Sequence, residues 1–65
     1  MTYGDKIEEM IATIQKLYDD AEWLRDIATT EEKEFFNKLR GNMYDADAPL
    51  RKLLRLIGSR HNVEI

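Results

Sequence analysis

The chain has no cysteine, one histidine and one proline among its 65 residues, and each scarcity excludes something. Without cysteine there is no disulfide and no thiolate metal site, and the composition reads as that of an intracellular protein. One histidine, His61, cannot build a histidine-rich metal centre or, with no carboxylate at a spacing that would orient it, a catalytic triad. No apolar run approaches the ~20 residues of a membrane-spanning helix, and no apolar leader segment follows Met1, so the expected location is cytoplasmic. With three glycines and one proline there is little to interrupt regular secondary structure.

What remains is helical material. Hydrophobic residues make up 43% of the chain, too many for a disordered tail, and charged residues of both signs make up 35%. A chain this short forms one domain at most and buries only ~60% of the surface its unfolded form exposes, so its core is marginal. Regular helix packing, self-association or a partner has to supplement it.

From Asp5 to Ala28 the apolar positions Ile7, Met10, Ile14, Leu17, Ala21, Leu24 and Ala28 alternate by three and four. This is a heptad seam, widened by Ile11 and Tyr18, and it predicts one helix over about residues 6–28, with Asp5 as its cap. Thr29 and Glu32 have capping-box spacing, so a tight turn and an antiparallel second helix follow, over about 30–44. That helix is expected to bury Phe35, Phe36, Leu39 and Met43. Pro49 predicts a break, with a third helix over 49–57 capped by Asp47 or Ala48 and ended by Gly58. Residues 59–65 read as a loose tail, although its Val63 and Ile65 could dock against the helices.

One pattern favours a different arrangement. Phe36, Leu39, Met43, Ala46, Leu50, Leu53 and Ile57 keep a single heptad register across Pro49. The fold class is therefore all-α in either of two forms: a small bundle with a Pro-broken third helix, or a helical hairpin with a kinked second arm that dimerises into a four-helix bundle. On this pattern, Leu17 and Leu53 are the seam residues whose truncation should damage the fold most.

The net charge of −3 is unevenly distributed. Residues 1–34 carry ten acids against four bases; residues 35–65 carry six bases against three acids. An acidic first half lying against a basic second half explains the division most simply, and a dipolar surface that steers toward charged partners is the sharper reading.

For function, the sequence excludes more than it assigns. Asp45 and Asp47 alternate as in a calcium loop, but the turn glycine and closing glutamate are missing, so capping and turn chemistry account for them. No catalytic residue, metal site or cofactor is expected. Two binding classes stay open. Arg51, Lys52, Arg55 and Arg60 could serve a nucleic-acid-binding module, drawn as a helix-turn-helix with the third helix in the groove. Against it stand the acidic net charge and a connection longer than the usual turn.

The other class is protein binding. Trp23 lies about 160° around the first helix from Ile7, outside an apolar stripe roughly 100° wide. Ile27 is one turn further on, and Asp19, Asp20 and Asp26 border the pair. Trp is enriched among interface anchors. The favoured expectation is a non-enzymatic regulator or inhibitor that occupies a partner protein's surface through this acidic face, with self-pairing also expected. The competing reading of Trp23 is core, closed over by Leu56, Val63 or Ile65.

Overall fold

The computed structural model describes residues 1–65 and is all-helical. Helix α1 spans Tyr3–Ile27, helix α2 spans Thr30–Ile57, and a short 3-10 helix covers Gly58–Asn62. The two long helices lie antiparallel in a single layer, with extents of 47 × 18 × 13 Å. Neither is long and apolar enough to cross a membrane.

The turn follows the local chemistry of the sequence. Ala28 is extended and Thr29 caps α2. The Thr29 hydroxyl accepts from the Glu32 amide at 3.3 Å, and the Glu32 carboxylate accepts from the Thr29 amide at 3.2 Å. This capping box satisfies two otherwise orphaned donors and reverses the chain in two residues.

Three expectations are corrected. First, the cap of α1 is Thr2, whose side chain accepts from the Asp5 amide at 3.2 Å; Asp5 stands in the first turn, where its charge suits the helix dipole. The helix begins early because the Tyr3 amide donates to the Val63 carbonyl at 2.7 Å, which removes one orphan donor. Second, there is no break at Pro49. The predicted helices 30–44 and 49–57 are one continuous helix with Pro49 inside it. Pro49 and Asp45 are both exposed, so the Asp45 carbonyl that loses its partner faces solvent. Leu50, Leu53, Leu54 and Ile57 keep packing on α1, and the Asp47–Arg51 ion pair, at 2.6 Å, bridges the proline.

Third, the tail 59–65 is docked. Gly58 turns it with a positive φ of 47°, a conformation that costs other residues strain. Thr2 and Glu64 form a backbone bridge, the Ile65 amide donates to the Met1 carbonyl at 3.2 Å, and the N-terminal ammonium lies 3.2 Å from Glu64. The His61 ring lies directly on the backbone of Gly4, where any Cβ would collide with it.

This contact makes a prediction. Gly4→Ala should displace His61 and lower stability by ~1–3 kcal/mol, the cost of overpacking, even though alanine favours helix. Gly4→Ala combined with His61→Ala should recover most of the loss. Chemical denaturation checks the energies, and faster exchange of the Tyr3 amide would report the undocked tail. Equal destabilisation by the single and double variants would contradict the account.

The apolar core sits at the open end of the hairpin: Ile7, Ile11 and Ile57 are buried, with Tyr3, Leu50, Leu53 and Leu54 packed around them. Toward the turn only Ala21 and Met43 are buried. There the seam becomes polar. Arg40 donates to the Tyr18 hydroxyl at 2.8 Å, its Nε lies 2.7 Å from the Glu22 carboxylate, and Arg25 donates to Asn37 at 3.0 Å. The bond to Tyr18 raises the Arg40 pKa above its ordinary value, opposed by desolvation and assisted by Glu22, so Arg40 remains charged.

The seam that α2 covers is not quite the one the pattern named. Ile7, Ile11, Ala21 and the half-buried Tyr18 face α2 and Gly4 lies under His61, while Met10, Leu17 and Leu24 stay exposed. On α2, Met43 and Ile57 are buried, whereas Phe35 is 66% exposed and Leu39 also remains in solvent. One partner helix covers only part of each apolar stripe.

Candidate functional site

Trp23 and Ile27 belong to the last two turns of α1, and the helical period sets them one turn apart on the same side. Trp23 is 68% exposed and Ile27 73%. Helix α2 lies across the helix from Trp23, and the tail docks at the far end of the hairpin, so neither Leu56 nor Val63 nor Ile65 closes over it. Asp19, Asp20 and Asp26, at three and four residues from Trp23, are all exposed and border the ring. None of these three carboxylates is tied by an ion pair. The arrangement is a large amphipathic ring and a branched aliphatic side chain on a rigid helix, with free negative charge around them.

The basic residues are placed differently. Arg51, Lys52 and Arg55 share the last two turns of α2, but Arg51 is paired with Asp47 at 2.6 Å and Arg55 stands in the last turn, where its charge opposes the helix dipole. Arg60 lies apart on the 3-10 helix, its guanidinium 5.7 Å from the Tyr3 ring centroid. Because α2 runs unbroken through Pro49, the helix-turn-helix drawn from the sequence does not exist.

Two clusters had no signal in the sequence. His61 Nε2 lies 3.6 Å from Glu8, and with Asp5 the three offer donor atoms within 4.8 Å of one another. Asp5 stands in the first turn of α1 and Glu8 just beyond it, at the positive end of the helix dipole, which opposes a bound cation. The other is a shallow cleft of about 280 Å³ on one face of the hairpin, lined by Ile14, Tyr18, Asp19, Met43, Tyr44 and Asp47. Both depend on which residues the antiparallel register and the docked tail bring together, information that local spacing does not carry.

No protein-family model, no curated protein and no solved structure matches this chain. The fold and surface define a class by themselves: a short antiparallel helical hairpin with an acid-rimmed tryptophan on its outer side.

Proposed function

We propose that this protein is a non-enzymatic, cytoplasmic interaction module, a small regulator or inhibitor that acts by occupying the surface of a partner protein. The observation that carries the reading is the exposure of Trp23 beside Ile27, 68% and 73%, on a helix face that no other part of the chain covers. A tryptophan brings a large apolar area with few rotatable bonds to an interface. Asp19, Asp20 and Asp26 keep the free surface soluble and suit a basic rim on the partner, which steers the encounter and disfavours acidic competitors. A partner with a basic groove would be blocked by such a face. The working unit we propose is a pair of hairpins, since a single layer leaves much of both heptad stripes uncovered.

The test begins with the isolated protein. Trp23 fluorescence should be red-shifted and readily quenched by acrylamide. Trp23→Ala should leave helicity and melting nearly unchanged and weaken partner binding by at least ~2 kcal/mol. Tagged wild-type, Trp23→Ala and Leu56→Ala proteins serve as parallel baits, Leu56 being an exposed apolar control away from the patch. A partner retained by wild type and Leu56→Ala but lost by Trp23→Ala supports the reading. A protected Trp23, or binding indifferent to its loss, defeats it.

A further inference from the structure

The hairpin has an apolar face distinct from the Trp23 patch. Met10 and Leu53 line one groove of about 320 Å³ at the open end, together with Tyr3, Ile7, Leu50, Ile65 and a single charged residue, Lys6. Seven residues make two helical turns, so Leu17 and Leu24 continue the side of α1 that Met10 occupies, and Ala46 and Leu39 continue the side of α2 that Leu53 occupies. The contacts Glu22–Arg40 and Arg25–Asn37 fix the antiparallel register. In that register Met10 is level with Leu53, Leu17 with Ala46, and Leu24 with Leu39. Three apolar levels therefore cross one face of the molecule, spaced by about 10.5 Å.

We propose that a second copy of this chain covers this face, forming a four-helix bundle with both hairpin turns at the same end. The inference rests on the pairing proposed above and names its surface and arrangement. Area supports it. A face of 47 by 18 Å projects about 850 Å², against the ~800 Å² per partner of a stable interface.

Two independent features select the arrangement. With the turns at one end, α1 of each copy lies across α2 of the other; with the turns at opposite ends, like helices meet. Helix α1 carries seven acids against three bases, and α2 five acids against six bases. Placing α1 on α1 opposes like charge, whereas α1 on α2 does not. Size agrees with charge. A twofold axis along the bundle sets Leu17 of each copy over the small Ala46 of the other, a large residue over a small one, while the opposite arrangement stacks Leu17 on Leu17 and leaves a gap between two alanines.

The experiment uses the full chain. Sedimentation at high micromolar concentration should give a dimer. Leu17→Glu should weaken it by at least about a hundredfold, because the charge would be buried without a partner, while helicity persists in the monomer. Leu39→Lys is the second variant should Leu17→Glu fail to fold. The absence of cysteine allows a single spin label at Glu31→Cys, in the first turn of α2. Turns at one end predict a label separation of ~20–30 Å, a diagonal of the bundle plus linkers; turns at opposite ends predict more than about 40 Å. A monomer overturns both the pairing and this arrangement. A dimer insensitive to both substitutions, or one with the long separation, overturns the arrangement and leaves the pairing standing.

Discussion

Ile7→Ala should lower the melting temperature by at least ~10 °C and leave much of the chain unfolded near ambient temperature. Ile7 is 4% exposed and packs with Ile11 and Ile57 in the one place where the molecule has an apolar core. Truncating a buried isoleucine costs ~2–5 kcal/mol, from lost transfer energy and the cavity left behind. Small domains have a total stability near the low end of ~5–15 kcal/mol, and each kcal/mol shifts the midpoint by ~4–8 °C. The heptad pattern alone assigns such an effect to Leu17 or Leu53. Leu17 is 52% exposed, so Leu17→Ala should barely move the midpoint at concentrations where the chain is monomeric. Thermal circular dichroism of both variants at low and high concentration checks this. Ile7→Ala melting within a few degrees of wild type would place the core elsewhere.

Pro49→Ala is expected to stabilise the protein. Proline in a helix interior is ~3 kcal/mol less favourable than alanine, because it lacks the amide and crowds the carbonyl four residues back. Here that carbonyl belongs to Asp45, on the solvent side of α2, and the residues flanking Pro49 are already helical. The substitution restores the hydrogen bond without disturbing Leu50 or Ile57. A gain of ~2 kcal/mol, or roughly 10 °C in the midpoint, should follow, part of the full difference being offset by the freer unfolded chain. An unchanged or lower midpoint would mean that the proline itself helps to seat Leu50 to Ile57 against α1.

The turn was legible in the sequence because its causes are local. Thr29 and Glu32 satisfy each other's backbone donors within one helical turn, and nothing distant can easily outvote them. At Pro49 two signals in the sequence conflict: the local penalty of a proline favours a break, which the structure does not show. The heptad register across it, Met43 to Leu50 to Ile57, pointed to the continuous helix, and packing on α1 outweighs the lost bond. The docked tail is the opposite case, with no local signal for its order. Ser59 to Ile65 has no periodicity of its own, and its order comes from Gly4, Tyr3 and Met1, at the other end of the chain.

The candidate site divides the same way. That Trp23 lies off the apolar stripe follows from the helical period, which sequence spacing encodes directly. Whether anything covers it does not follow, because a short chain can fold back over any face. Likewise the apolar stripes of α1 and α2 are written in the three-four spacing of Met10, Leu17 and Leu24 beside Ile7, Ile11 and Ala21. Which half of each stripe is buried depends on the crossing of one helix over the other. A single neighbouring helix shields only part of a helix's circumference, so one set was enclosed and the other left in water by tertiary packing alone.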